Sequence, residues 1–177
     1  MTADIPVPPR TIMEVYKILP EGTLAELING KIYMSPAPNT QHQRAIKSFF
    51  NKLSAYVEQA SLGEIFIAPY DVYLDENANA VQPDLLFISN KNSGLIKAHG
   101  IVGSPDLIIE FLSPGNTRHD LFIKKELYEK FQVNEYWVVD PASTEVSVFQ
   151  LVNGVFELTG KSKSEVFSPL FNQTFHF

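Results

Sequence analysis

The sequence contains no cysteine, which excludes a disulfide framework, an iron–sulfur cluster, a thiolate zinc site and a cysteine nucleophile. It also has few basic residues: 14 lysines and arginines against 20 aspartates and glutamates, which gives a net charge of −6. This balance argues against binding nucleic acid through bulk positive charge, although it is compatible with a local basic groove. No run reaches the ~18 apolar residues that span a bilayer, and the first ten residues do not resemble a signal peptide. We therefore expect a cytoplasmic protein without a membrane segment.

What the chain does contain suits one globular domain over residues 1–177. Of these 177 residues, 45% are hydrophobic and 12% are aromatic, which is enough to build a substantial core. Residues 1–10 contain three prolines and are expected to form an extended arm.

Capping and turn residues predict the first elements. Thr11 and Glu14 form a capping box, so a short helix should begin there and end near Pro20. The pair Asn29-Gly30 is favoured in tight type I′ turns and predicts a hairpin over residues 24–35.

Apolar spacing predicts the order of the remaining elements. In chain order these are a long helix over about 40–60, strands over 64–74, 82–89 and 105–112, a helix over about 118–131 and a buried strand over 135–140. A hairpin through Asn153-Gly154 and a strand near 174–177 follow. The order helix, three strands, helix, strand, with a hairpin at each end, predicts an α/β or α+β fold with a mixed sheet.

Four acidic residues lie in or beside these apolar strands, namely Asp71, Asp84, Asp106 and Glu110. If the second and third strands are antiparallel, Asp84 and Glu110 arrive at the same edge, and an antiparallel first strand brings Asp71 there too. Asp106 precedes Glu110 by four positions, about 13 Å along a strand, which is too far to share one ion. Converging carboxylates suit Mg²⁺ or Mn²⁺. The alternative is that they are strand caps or partners of buried basic residues.

A lysine interrupts the apolar face of the predicted helix over 118–131. Leu121, Lys124, Tyr128 and Phe131 follow helical spacing, so Lys124 should lie along the sheet and direct its ammonium group to an acidic partner. A surface lysine with a buried stem is the alternative. Lys125 is rotated by about 100° and should face solvent.

Several blocks of the chain carry a family resemblance. They are residues 81–87 with Pro83-Asp84, residues 105–114 with Glu110, the set Asp120, Lys124 and Tyr128, residues 135–141, and the shorter segments 26–30, 35–36, 42–43 and 69–72. In this order they resemble the Uma family of putative restriction endonucleases, within the PD-(D/E)xK nuclease superfamily. The resemblance implies a restriction-endonuclease-like core of helix, three strands, helix and strand.

The resemblance also implies site residues. Asp84 and Glu110 would be catalytic metal ligands for Mg²⁺ or Mn²⁺, and DNA would be the substrate. The usual E-x-K lysine is absent, since the chain has Leu112, and the family position moves to Lys124 as the third catalytic residue. Further matches near the site, without a defined role, are Glu26, Gln82 and Asp120.

The candidates for contact with nucleic acid are Arg118, His119 and Lys125 on the predicted helix over 118–131, and His42 on the predicted helix over 40–60. An ordinary solvated helix face is the alternative for the former, and a capping role for His42. A homodimer is expected, because nucleases that cut both strands of a duplex commonly pair by two-fold symmetry.

Three functions therefore stay open. The first is a divalent-metal-dependent DNA endonuclease. The second is a catalytically inactive protein on the nuclease fold, acting as a dimeric binding module or adaptor. The third, a glycosidase carboxylate pair, is disfavoured by the motif order and the lysine.

Overall fold

The structure is a computed structural model that describes residues 8–113 and 118–177, without the side chains of residues 118–121. The expected extended arm at 1–10 thus lies almost wholly outside the described residues. In this part of the chain the α helices are α1 (Ile12–Lys17), α2 (Thr40–Gln59) and α3 (Arg118–Lys130), and a 3-10 helix covers Asn90–Leu95. None of these helices is both long and apolar enough to cross a bilayer.

The strands of the described chain are β1 (Ala25–Ile28), β2 (Lys31–Met34), β3 (Gly63–Ile67), β4 (Val72–Tyr73), β5 (Ala80–Val81), β6 (Leu85–Ser89), β7 (Ile96–Lys97), β8 (Gly100–Val102), β9 (Leu107–Phe111), β10 (Glu135–Asp140), β11 (Glu145–Val152), β12 (Val155–Lys163), β13 (Glu165–Ser168) and β14 (Gln173–His176). A central sheet has the order β12-β11-β10-β9-β6-β3, and β9 and β10 are its parallel pair. A second sheet has the order β2-β1-β5-β4-β8-β7, and β13 pairs with β14. The predicted mixed sheet and the order helix, three strands, helix, strand are confirmed.

The two long helices cover opposite faces of the central sheet. The apolar face of α2, from Ile46 to Val57, packs on the side chains of Leu85 and Phe87 in β6. Leu127 and Tyr128 of α3 share the other core with the alternate residues of the strands. Because strand side chains alternate between faces, Glu110 lies on the same face as Ile108, the face that α3 covers.

The local signals in the sequence form as predicted. Thr11 and Glu14 make both hydrogen bonds of a capping box at α1. Asn29 and Gly30 have φ angles of 48° and 75°, the positive values of a type I′ turn, and they join β1 to β2.

One predicted strand divides between the two large sheets, and another begins later than predicted. The run over 64–74 forms β3 in the central sheet and β4 in the second, and the run over 82–89 is preceded by β5 in the second sheet before β6 begins at Leu85. Pro69 and Pro83 lie in the two breaks, where a residue without a backbone N–H cannot continue a ladder. The prediction of one continuous strand over 64–74 was wrong. The short strands β5, β7, β8 and β13 were not predicted.

Candidate active site

The candidate active site is a cavity of about 440 Å³ lined by residues of both large sheets and of α2 and α3. Its titratable lining side chains, among the residues that the structure describes, are Glu26, His42, Asp84, Glu110 and Lys124. They come from five places in the chain: β1, α2, the segment before β6, β9 and α3. The breaks between the sheets thus bring distant acids and bases to one edge.

Strand register brings Asp84 and Glu110 to this cavity. The predicted antiparallel pairing of β6 and β9 is confirmed, and Leu85 pairs with Ile109, so Asp84 and Glu110 occupy the next position of the same register. The backbone N–H of Phe111 donates to Asp84 Oδ2 at 2.8 Å, which ties the acid before one strand to the end of the other. Both acids line the cavity, Glu110 being 7% exposed and the Asp84 side chain 18%.

The ammonium group of Lys124 lies between two of the carboxylates. Its Nζ is 2.9 Å from Glu110 Oε1 and 3.0 Å from Glu26 Oε1. Helical spacing puts the lysine on the buried face of α3, one turn before Tyr128, whose hydroxyl donates to Glu110 Oε1 at 2.6 Å. The side chain of Lys124 is only 12% exposed, so its charge is held inside the protein by these two acids.

Burial and crowding set the electrostatics of the site. Burial, together with the charges of Asp84 and Glu26, raises the pKa of Glu110 to about 7 against the opposing influence of Lys124. Burial lowers the pKa of Lys124, but the carboxylates of Glu110 and Glu26 more than offset this, and the net pKa is raised. Burial and the nearby Glu110 charge also raise the pKa of Tyr128. Lys124 therefore remains a cation, and it can act as a fixed charge or donor but not as a general base.

His42 is turned towards the carboxylate edge. Its Nε2 lies 3.1 Å from the carbonyl oxygen of Phe111 and 3.3 Å from Asp84 Oδ2, and the residue is 7% exposed. The hydrogen bond to Asp84 raises its pKa despite burial. The cap of α2 is made by Asn39, which accepts from the backbone N–H of His42, so the His42 side chain does not cap the helix. His42 is buried but lines the cavity, and a contact with phosphate stays a prediction.

The structure places Glu26, rather than the expected Asp71, beside the central pair. Both oxygens of Asp71 accept hydrogen bonds, Oδ1 from Tyr16 and Gln82 and Oδ2 from Tyr73, and Asp71 does not line the cavity. The cause is the strand break, which carries Asp71 out of the central sheet. Gln82 links Glu26 to Asp71. Its backbone N–H donates to Glu26 Oε1 at 3.0 Å, and its Nε2 donates to Asp71 Oδ1 at 2.9 Å.

Asp106 lies at the other end of β6, as the strand distance predicts. It is buried and accepts hydrogen bonds from the backbone N–H of Ser89 at 2.8 Å and from the side chains of Asn92 and Asn134. These donors satisfy the carboxylate locally, so Asp106 has a structural role in the fold.

The expected contacts for nucleic acid are only partly within the described structure. Lys125 does not line the cavity; its Nζ is 3.7 Å from Glu129 and lies 5.3 and 5.7 Å from the ring centres of Phe149 and Phe156. This packing leaves its side chain 30% exposed, less than the solvent-facing position that was expected. Arg118, His119 and Asp120 begin α3, but their side chains lie outside the described residues.

Asp84 and Glu110 have the donor chemistry that Mg²⁺ or Mn²⁺ requires. Each uses one oxygen in the contacts above, while Asp84 Oδ1 and Glu110 Oε2 have no hydrogen-bond partner among the described residues. Over those residues, no three side chains of His, Cys, Asp and Glu are grouped to hold a metal ion. The unpaired oxygens of the two carboxylates suit such a cation by their chemistry, and its remaining positions would be left to other oxygen ligands such as water, which Mg²⁺ retains readily.

Sequence reasoning did not anticipate the contacts of two residues. Glu26 was matched without a role, and Tyr128 was placed on the apolar face of its helix but not at the site. The signal for Glu26 is a lone acid in the four-residue strand Ala25–Ile28, all of which is buried. A buried acid without a nearby base in sequence requires a partner from elsewhere in the fold.

Comparison with known proteins relates the chain to a family and to solved structures. The profile of the family Uma2, described as "Putative restriction endonuclease", matches residues 13–173. The chain is similar to a crystal structure of "a putative nuclease belonging to DUF820" from Anabaena variabilis ATCC 29413, with a TM-score of 0.74 and 20% identity over 93% of this chain and 92% of that one. It also aligns, over 70% of its length, with 10% of a chain in a "cryoEM structure DrdV-DNA complex", with 17% identity and a TM-score of 0.43. No curated protein matches the sequence. The family match covers most of the chain, which therefore belongs to the Uma2 family of putative restriction endonucleases.

Proposed function

We propose that the protein is a divalent-metal-dependent DNA endonuclease that hydrolyses phosphodiester bonds. The observation that carries the proposal is the convergence of Asp84, Glu110 and the Lys124 ammonium group on one cavity. Two carboxylates from adjacent strands and one buried cation are the groups that metal-assisted phosphodiester hydrolysis needs. Family membership supports a nuclease, and the cavity chemistry supports its dependence on metal.

Asp84 and Glu110 would hold Mg²⁺ or Mn²⁺, whose charge polarises a phosphodiester and makes water more acidic. The protein supplies the remaining electrostatics. An ammonium group has three N–H donors, and Lys124 directs two of them to Glu26 and Glu110. The third has no partner among the described residues and would donate to a phosphate oxygen or an attacking water, where it would stabilise the negative charge that develops during hydrolysis.

Glu26 and Tyr128 hold Lys124 and Glu110 in place through direct contacts. Glu26 contacts the Lys124 ammonium group in addition to Glu110, so the lysine does not depend on the metal-binding acid alone. Tyr128 donates to the Glu110 oxygen that Lys124 also contacts, which leaves the other oxygen for a cation. Such hydrogen bonds around a ligand orient it for its ion.

The proposal includes a homodimer working on DNA in the cytoplasm. Cutting both strands of a duplex takes two active sites, and two-fold symmetry supplies them at the least structural cost. The mass of the protein in solution, measured by light scattering with and without duplex DNA, tests this part separately.

A catalytically inactive, dimeric DNA-binding or adaptor module is the second candidate. The observation that favours it is the charge of the cavity, because its described basic side chains, Lys124 and His42, both contact carboxylates. Such a protein would keep the fold and bind a partner without cleaving DNA.

A cleavage assay separates the two candidates. Supercoiled plasmid, linear duplex and single-stranded DNA are incubated with the protein and Mg²⁺, Mn²⁺ or EDTA. The endonuclease proposal predicts nicked or linear products with either ion, none with EDTA, and none with Asp84→Asn. An absence of products on every DNA, from a folded protein that binds the ion, would establish the inactive alternative.

A further inference from the structure

His42 makes contacts that the proposed chemistry does not yet use. It lies in the first turn of α2, and its ring packs edge-on against Phe111 with ring centres 5.9 Å apart. Its Nε2 faces two oxygen atoms, the carbonyl of Phe111 and Oδ2 of Asp84. Its Nδ1 is buried and has no hydrogen-bond partner among the described residues.

These surroundings fix where the ring carries its proton. Both atoms near Nε2 are acceptors, so Nε2 must be the protonated nitrogen in order to bond with either of them. Nδ1 is the other ring nitrogen, and its burial keeps it from water in the cavity. His42 is therefore a donor to Asp84, and it is not placed to take a proton from an attacking water.

The donor acts on the acid that the proposal assigns to the metal. The Phe111 N–H of β9 donates to Asp84 Oδ2 at 2.8 Å, and the His42 Nε2–H of α2, which also faces the Phe111 carbonyl oxygen at 3.1 Å, approaches the same Asp84 oxygen at 3.3 Å. Asp84 stands just before β6, where its carbonyl oxygen accepts from the backbone N–H of Ala68 at 3.1 Å, so its backbone is fixed and the side-chain contacts set the direction of the carboxylate. Two donors on one oxygen restrict rotation of the carboxylate and leave Oδ1 for a cation.

We propose that His42 is a positioning residue that orients the Asp84 carboxylate for divalent-cation binding. The proposal rests on the metal site of the proposed function and adds a residue that does not itself touch the ion or the DNA. Outer hydrogen bonds of this kind typically change metal affinity by about 10- to 100-fold.

Three substitutions separate the donor from the bulk of the ring. His42→Gln places an amide N–H near the position of Nε2, whereas His42→Asn places it near that of Nδ1, where the structure offers no acceptor. His42→Phe keeps the aromatic packing and removes the donor. Asn51→Ala is the matched control, because Asn51 is exposed on the same helix and does not line the cavity.

The readout is the Kd for Mn²⁺ and for Mg²⁺ by calorimetry without DNA, with folding checked by circular dichroism. We expect the Asn and Phe variants to bind about 10-fold more weakly than wild type, and the Gln variant to stay within about threefold. The control should bind as wild type does. Equal affinities in wild type and His42→Phe would overturn the role of His42 alone, whereas a wild type that binds neither ion would overturn the metal site and this inference with it. Loss of affinity in the Gln variant equal to that in His42→Phe would also overturn it.

A nuclear magnetic resonance measurement on the wild type tests the same point without a substitution. With ¹⁵N-labelled histidine, the His42 ring should show a proton on Nε2 before and after saturation with Mg²⁺. Loss of that proton on addition of Zn²⁺ or Mg²⁺ would mean that Nε2 ligates the ion directly, which contradicts a positioning role. This result stands even if every His42 variant fails to fold.

Discussion

Substitution of Lys124 by methionine should destabilise the protein in a way that depends on pH and on divalent cations. Methionine preserves the apolar stem and removes only the charge that Glu26 and Glu110 share at 3.0 and 2.9 Å. Removing one partner of a buried ion pair costs about 3–5 kcal/mol, because the remaining charge is left uncompensated. Here two carboxylates, each 9% exposed, lose the same cation, so we expect the upper part of that range at pH 8.

The pH dependence distinguishes this cause from a general packing defect. The pKa of Glu110 is raised to about 7 even with Lys124 present, and loss of the lysine should raise it further. At pH 6 the acid is then mostly protonated in the folded state, so only Glu26 carries an uncompensated charge and the loss of stability shrinks. Saturating Mg²⁺ at pH 8 should also reduce the loss, because a bound cation replaces part of the missing charge.

The assay is urea denaturation followed by fluorescence of the single tryptophan, Trp137, which is fully buried. Cleavage is measured in parallel at saturating Mg²⁺, where we expect Lys124→Met to bind the ion but to lose about 10²- to 10³-fold in rate. A variant that unfolds at the same urea concentration as wild type at both pH values would refute the buried charge cluster. Normal cleavage by the folded variant would refute the catalytic role of the lysine.

Three further results are expected. Asp84→Asn should weaken Mg²⁺ binding by at least about 10-fold in calorimetry. Its melting temperature without metal should equal or exceed that of wild type, since one of several crowded negative charges is gone. A sharply lower melting temperature would instead show that Asp84 stabilises the fold. Without metal, the free energy of unfolding of wild type should fall by ~2 kcal/mol between pH 5.5 and 8.0. The folded pKa of Glu110 is raised to about 7 from 4.5, so this carboxyl stabilises the fold below its unfolded pKa, and the stability is lost as pH rises through the folded pKa. Urea titrations of Glu110→Gln should lack this part of the pH dependence, and an equal dependence in both proteins would refute the raised pKa. Lys125→Met should lower the free energy of unfolding by less than ~1 kcal/mol and leave the Mg²⁺ affinity unchanged, since Lys125 and its partner Glu129 are both partly exposed. A loss of stability as large as that of Lys124→Met would show that the wrong face of the helix was assigned to the site.

The parts of the site that local periodicity controls were predictable from sequence. Helical spacing directed Lys124 to the buried face of α3, and antiparallel pairing aligned Asp84 with Glu110, because both rules act between near neighbours or paired strands. The positions of the two hairpins likewise follow from Asn-Gly pairs, whose turn conformation needs no distant contact.

The parts that depend on a second sheet were not predictable. The run containing Asp71 is apolar enough to be read as one strand, yet the chain leaves the central sheet after Ile67, and Asp71 becomes a partner of Gln82 and Tyr16. Glu26 reaches Lys124 from a strand nearly 100 residues earlier, and that pairing arises from packing between sheets. Local propensity carries no information on such contacts.

The most direct test of the central claim is the location of a bound cation. A crystal of the protein grown with Mn²⁺ and measured at the manganese absorption edge reveals the ion by its anomalous scattering. The account predicts one peak bonded to an oxygen of Asp84 and an oxygen of Glu110 at about 2.1 Å each, with Lys124 still beside Glu26. An ion bound elsewhere at full occupancy, or bound to one of these carboxylates without the other, would contradict it.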